Sequence, residues 1–306
     1  MISKFRILDN NQIDKVKWDE VINSSDFTNY ASFSYFLDAI FPNWKAIIYG
    51  DYDYIFPLTK GSKFGVNYLI TPIFIPYIGV SSKLNIYPEF ILEFIEFLKM
   101  QAKYIDLYFD PYTSSLIDSF PNEIRKGQVL SLDKPYDQIK SRYSSNHKRS
   151  LSKANKFNLT LKNSSNVKLF VSLFKENKGH QLKELKDFNY SALTKALEKS
   201  IENGSGFLLD CYQNENHISS AFFMVVKNRI TYIKGFSSKE GRDKGAMHFI
   251  LDFVISDYSL SGKTFDFGGS NSPQVAKFNT GFGAHDIYYQ NYKKNSLPFI
   301  LKMFKS

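Results

Sequence analysis

The stretch from Gly204 to Gly269 constrains the fold of this sequence more than any other. Gly204-Ser205-Gly206 turns into the apolar stretch Phe207–Tyr212, and Asn214-Glu215-Asn216 is a hairpin turn into Ile218–Val226. Asn228-Arg229 turns again into Ile230–Phe236. Turns this short join antiparallel neighbours. A glycine-bearing loop then leads into the apolar helix Gly245–Asp257, and a further strand, Thr264–Phe267, ends at Gly268-Gly269. Three antiparallel strands followed by a helix and a strand predict an α/β (α+β) fold with a mixed, largely antiparallel sheet flanked by helices.

The first 130 residues have the same mixed character. Trp18–Ile22 forms a short helix. Ser32 or Ser34 caps another, with Phe36, Leu37, Ile40 and Phe41 on its apolar face and Pro42 as its stop. Strands follow at Trp44–Tyr49, Tyr54–Leu58 and through Leu69–Val80. Pro88 opens a helix whose Phe90, Ile91, Phe94, Ile95 and Leu98 recur at three and four residues, and Tyr104–Phe109 alternates as a strand. The polar stretch Asp118–Lys134, with Pro121 and Gly127, sets a domain boundary near 130, giving domains 1–130 and 131–306. A length of 306 residues suits two domains. Beyond the boundary, a helix over 136–156 carries Tyr136, Ile139, Tyr143, His147, Leu151 and Ala154 on one side. Its other faces carry Lys140, Arg142, Lys148, Arg149, Lys153 and Lys156, and only Asp137 opposes them.

Composition excludes several classes. One cysteine, Cys211, makes neither a disulfide framework nor a cysteine metal cluster. The five histidines, 147, 180, 217, 248 and 285, form no close pair, so no metal is expected. The longest apolar run, Tyr68–Val80, is broken by Pro72 and Pro76 and falls short of the roughly 20 residues of a bilayer span. The N-terminus lacks the apolar stretch of a signal peptide, and a cytoplasmic location is the simplest expectation. The charge of +9, from 39 Lys+Arg against 30 Asp+Glu, favours phosphates, nucleic acid or an anionic surface without choosing among them.

The loop Ser237–Ala246 lies between a strand and a helix N-terminus, where unsatisfied backbone N–H groups favour an anion. Arg242 and Lys244 add mobile positive charge suited to a pyrophosphate. The alternative is a solvated turn that caps a core helix. Here the chain resembles the GNAT superfamily of N-acyltransferases, whose loop R/Q-x-x-G-x-G/A holds the diphosphate of an acyl-coenzyme A. Arg242 and Gly245 match, with Ala246 following, while Met247 replaces the last small residue. The resemblance also implies an Asn leading to a Tyr seven residues on, which in many members protonates the thiolate. Here Asn271 leads to Phe278, which has no hydroxyl, so that role does not carry over.

The closer resemblance is to the two-domain branch that includes the Fem-type aminoacyl transferases and related bacterial acyltransferases. It rests on the basic segment Arg142–Ser150, on Phe265-Asp266-Phe267-Gly268-Gly269-Ser270, and on Ala276-Lys277-Phe278 with Gly281-Phe282-Gly283-Ala284. It covers about 136–292 and implies two GNAT-like domains, the first degenerate or acceptor-binding. It also implies acyl-CoA, in particular acetyl-CoA, as cosubstrate, with Ser238, Arg242, Lys244, Gly245, Ala246, Met247, Asn271 and Lys277 around it.

Acyl transfer to an amine requires positioning, which supplies roughly 7–11 kcal/mol. It also requires a neutral amine, and a lysine-like amine is neutral only to on the order of one part in a thousand at pH 7. Asp266 and His285 are the candidate bases. For Asp266 the alternative is a carboxylate that braces the Gly268-Gly269 turn, and for His285 a surface histidine. His147, Tyr288, Tyr289 and Tyr292 fit packing at least as well, and Cys211 fits a buried thiol. The acceptor is an amine on a small molecule, amino sugar or cell-envelope precursor. Three alternatives stand beside acyl-CoA transfer: an aminoacyl-tRNA donor, a catalytically silent ligand-binding protein, and a basic nucleic-acid binder.

Overall fold

The computed structural model describes residues 4–117, 123–178, 185–269 and 272–298. The chain forms two compact units. One comprises the residues up to Arg125 with those from Tyr288 on, and the other is Lys126–Ile287. Where one boundary near 130 was expected, the chain therefore crosses twice, because its last strand is long enough to begin in one unit and pair in the other.

The first unit contains β1 (Phe5–Leu8), α1 (Lys15–Ser24), α2 (Ser34–Ile40), β2 (Lys45–Tyr49), β3 (Tyr54–Leu58) and β4 (Lys60–Lys63). It continues with β5 (Val66–Ile70), β6 (Ser81–Ser82), α3 (Pro88–Lys99), β7 (Tyr104–Tyr108) and α4 (Pro111–Ser115). Strands β1-β2-β3-β6 form an antiparallel sheet, while β4 and β5 form a hairpin. Asp14 caps α1 by accepting from Lys17 N at 3.1 Å. Neither Ser32 nor Ser34 caps α2. Asp19 of α1 does so from outside, accepting from Ser34 N and Oγ, both at 2.7 Å. In α3 the periodic residues Ile91, Phe94, Ile95 and Leu98 are buried, as their spacing requires.

Strand β5 runs parallel to β7 over three pairs, Tyr68–Tyr104, Leu69–Ile105 and Ile70–Asp106. Past them the strand expected through Val80 ends, and the chain folds back to fill the space beside β7. Thr71 N donates to Asp106 O at 3.1 Å, Tyr108 N donates to Thr71 Oγ1 at 2.8 Å, and Ile78 N donates to Tyr108 O at 2.8 Å. Gly79 is pressed onto Asp110, where a Cβ would lie 1.4 Å from Oδ2.

The second unit runs β8 (Ile124–Ser131), α5 (Tyr136–Ser141), α6 (Ser145–Lys156), β9 (Leu159–Ser164), α7 (Val167–Lys178), α8 (Asp187–Glu202), β10 (Gly206–Gln213) and β11 (Asn216–Val226). Then come β12 (Arg229–Ser237), α9 (Lys239–Lys244), α10 (Ala246–Asp257), β13 (Thr264–Gly269), α11 (Pro273–Thr280) and β14 (His285–Asn295). Residues Asn291–Asn295 of β14 pair antiparallel with β7 in the first unit. The second unit's sheet has the order β8-β13-β12-β11-β10-β9 and is antiparallel except between β12 and β13. One face of it packs on α5, α6 and α10 through Phe223, Ile230, Phe265, Leu151, Ile250, Leu251 and Phe282, all buried. Among the described residues, no helix is long and apolar enough to cross a membrane.

Candidate functional site

Strands β12 and β13 pair in parallel at Arg229–Thr264, Ile230–Phe265 and Thr231–Asp266, and among the described residues the pairing stops there. Beyond it, β13 follows β8, ending at Gly269 opposite Gly127, while β12 continues along β11 to Ser237. A bulge marks the parting point. Phe223 faces Tyr232 but Phe222 faces Lys234, so Ile233 is an extra residue in β12. Ser238 N donates to Ile218 O at 2.9 Å. Alternate residues of an antiparallel strand turn to the same neighbour, so Phe236 also faces β11, whereas Gly235 and Ser237 turn their N–H and C=O groups to the opened side. Arg242 reaches that side, its Nη1 donating to Ser237 O at 2.6 Å. On the other sheet face, Lys234 is half-buried, and burial holds its ammonium below the usual lysine range.

At the foot of the opening, Asp266 is buried and accepts from Arg229 Nη1 and from Gly268 N, both at 2.8 Å. Gly268 has φ +77, a left-handed conformation that glycine adopts without strain. Asp266 thus braces the glycine turn and pairs with the half-buried Arg229 guanidinium.

The expected loop over Ser237–Ala246 is mostly helical. Ser238 caps the six-residue α9 by accepting from Gly241 N at 3.0 Å, and Gly245, at φ +74, ends α9 and starts α10. Ser238, Arg242, Lys244, Gly245, Ala246 and Met247 are thus one continuous segment beside the open edge. The protein itself holds their polar groups. Lys244 Nζ donates to Glu240 Oε1 at 2.5 Å and to Gln213 Oε1, and it lies over the Phe157 ring. Ala246 is buried, and a Cβ on Gly245 would lie 2.8 Å from Ser150 O of α6. The thioether of Met247 accepts from Tyr232 OH at 3.7 Å.

The helix expected over 136–156 breaks in two, because Ser144 caps α6 (accepting from His147 N at 3.2 Å) while its own N–H donates to Gly281 O at 2.8 Å. His147 fixes the same junction: Nε2 bonds Phe278 O at 2.9 Å and Nδ1 bonds Ser144 Oγ at 3.0 Å. Its ring crosses that of His248 at 4.6 Å, and Phe278 lies 5.0 Å from His248. Burial lowers both histidines, His248 to about 4. These residues pack α6, α10 and α11 together.

Lys277 is exposed on α11, and His285 is exposed at the start of β14. Neither is joined by any described contact to the α9–α10 segment. Asn271 lies outside the described residues. Beside His285, Asp286 accepts from Lys126 Nζ at 3.0 Å and Gln128 Nε2 at 2.8 Å, and Gln128 Oε1 accepts from buried Asn279 Nδ2 at 2.9 Å. Cys211 is buried, which pushes its thiol up to about 12. Tyr289 and Tyr292 are core residues of the first unit, and Tyr288 is exposed. No group of three or more metal-ligating side chains occurs among the described residues.

No family model matches the sequence, and neither does any curated protein sequence. Solved structures do match. FemX superposes with a TM-score of 0.68 at 14% identity, over 98% of this chain and 99% of that one. The chain has the fold of FemX. The C-terminal DUF2156 domain of an Agrobacterium fabrum protein described as a lysylphosphatidylglycerol synthetase follows at 0.61 and 11% identity, over 96% and 95% of the two chains. L-PGS from Bacillus licheniformis gives 0.59 and 11%, over 95% of each. At these identities the likeness is one of fold. One group near the open edge escaped the sequence reading: Asp210, Ser220 and His217, on the sheet face opposite α10. Its only sequence signal was the polar pair Ser219-Ser220 inside an otherwise apolar strand.

Proposed function

We propose that this protein transfers an activated acyl group to an amine, with the reaction centre at the parted ends of β12 and β13. The observation that carries this is the open edge of β12 at Gly235 and Ser237. Fixed N–H groups there can hold a carbonyl oxygen and stabilise the oxyanion that forms as the amine attacks. The bulge at Ile233 makes this possible by turning those groups away from β11. In the first unit the chain fills the corresponding space itself, which supports a single reaction centre.

Two donors fit this chemistry. An aminoacyl ester of tRNA is favoured by the state of the α9–α10 segment. Lys244 is neutralised by Glu240, and the α6 backbone lies against Gly245, so these residues offer a diphosphate little at the start of α10. The basic residues of α6 suit a nucleic-acid backbone. Acyl-CoA is the second reading, favoured by Arg242, which is exposed and commits one nitrogen to Ser237. The acceptor in either case is an amine on a small molecule or cell-envelope precursor. The test is amine-dependent consumption of aminoacyl-tRNA and of acetyl-CoA by the purified protein, with calorimetric titration of coenzyme A. Micromolar coenzyme A binding abolished by Gly245→Glu selects the thioester. Consumption of neither donor with any amine overturns the acyl-transfer reading.

A further inference from the structure

The sheet face opposite α10 holds polar groups in an apolar setting. Asp210 on β10 is 5% exposed and Ser220 on β11 is fully buried. Ser220 Oγ donates its proton to Asp210 Oδ1 at 2.5 Å. Its bond to His217 Nε2, at 2.7 Å, must then run the other way, with the imidazole N–H as donor. His217 Nε2 also lies 3.4 Å from Asp210 Oδ1. This direction leaves Nδ1 as the bare, basic nitrogen.

A backbone irregularity builds the relay. Cys211 faces Ser219 but Tyr212 faces His217, so Ile218 is an extra residue in β11. Strict alternation would put residues 217 and 220 on opposite faces, and the bulge brings them onto one. A buried Asp–Ser pair is costly to build, and apolar residues would fill the same space without desolvation. Burial alone would raise Asp210, but hydrogen bonds from His217, Ser220 and Ser164 outweigh it and hold the group below the usual carboxylate range. The His217 side chain keeps 17% of its surface exposed. Its ring stacks on Tyr212 at 5.0 Å and meets Phe236 of β12 edge-on at 5.4 Å, next to the open-edge residues Gly235 and Ser237. Charged groups on this side include Lys162, with Nζ over the Tyr212 ring, the half-buried Lys234 on the same face of β12, and Glu240, which accepts from Asn216 Nδ2 at 2.7 Å and pairs with Lys244.

We propose that His217 is the proton acceptor for the attacking amine, with Ser220 and Asp210 as positioning residues that fix its tautomer and hold the imidazolium. This rests on the acyl-transfer reading. The amine nitrogen bonds to the acyl carbon, and the donor's C–O or C–S bond breaks. The proton lost by nitrogen passes to His217 Nδ1 and then to water, while the leaving oxygen or sulfur takes a proton from solvent.

Two measurements test it. Nitrogen-15 spectra of the imidazoles should show His217 with Nε2 protonated and Nδ1 bare in its neutral form. Asp210→Asn should release that tautomer preference, with proton density moving from Nε2 to Nδ1 in the neutral ring. A protonated Nδ1 in the wild-type protein, or a tautomer indifferent to Asp210→Asn, overturns the relay. In the amine-dependent assay, His217→Gln should lower kcat at least a hundredfold with KM within threefold and abolish the acid limb of the pH profile. Ser220→Ala should give an intermediate loss. A folded His217→Gln protein, checked by circular dichroism, that keeps kcat within threefold overturns the assignment. If the wild-type protein consumes neither donor, the acyl-transfer reading falls and takes the amine assignment with it, and the spectra still decide the relay.

Discussion

Gly281→Ala should destabilise the protein through one neighbour, His147. The Gly281 backbone is helical, so alanine is conformationally acceptable there. Space is the obstacle: an added Cβ would lie 2.1 Å from His147 Cε1, 2.5 Å from Nδ1 and 2.6 Å from Nε2. The ring has to move, and it gives up its bonds to Phe278 O and Ser144 Oγ, each worth about 1 kcal/mol. Overpacking adds about 1–3 kcal/mol, for a total of about 3–5 kcal/mol in urea unfolding. The same substitution in a His147→Ala background has room and should cost under about 1 kcal/mol, a coupling of about 2 kcal/mol or more. Additive costs, or a Gly281→Ala protein as stable as wild type, would show that the His147 ring does not occupy this space.

Three further outcomes are expected. Arg229→Met strands the Asp266 carboxylate, whose side chain is 3% exposed, and should cost about 3–5 kcal/mol by denaturant unfolding; a loss under 1 kcal/mol would show that the pair is not the brace described. His248 is held at about 4 in the fold against about 6.5 unfolded, so the unfolded chain protonates first as pH falls. Its contribution of roughly 3 kcal/mol is whole above pH 6.5 and lost between 6.5 and 4, with the lowered His147 adding in the same direction; His248→Gln should flatten that slope, and an unchanged slope would contradict it. Gly79→Ala drives a Cβ into Asp110, whose Oδ1 caps α4 through Thr113 N at 2.7 Å, and should lower the melting temperature of the first unit by several degrees.

Elements defined by period and punctuation were legible in the sequence. Pro88 and the four buried positions of α3, and the three strands separated by Asn-bearing turns, emerge where the residues place them. Features set by distant partners were not. Ser144 reads as an ordinary helical residue until Gly281 O takes its N–H and the helix splits there. The cap of α2 comes from Asp19, fifteen positions upstream of Ser34. Residues 239–244 look like a polar loop, yet a serine cap and the Glu240–Lys244 pair make them helical. The bulges at Ile233 and Ile218 are the features with most bearing on the site, and neither residue is a glycine or otherwise marked. Pairing register creates them, and register belongs to two strands at once.

Amide spectra recorded while the protein is titrated with a stable 3′-aminoacylamino-adenosine, and separately with coenzyme A, decide whether the open edge of β12 is the acyl seat. The expected result is that the Gly235 and Ser237 amides shift saturably with at least one of the two, while Thr71 and Ile78 in the first unit stay fixed. Saturable shifts that leave Gly235 and Ser237 untouched would contradict it.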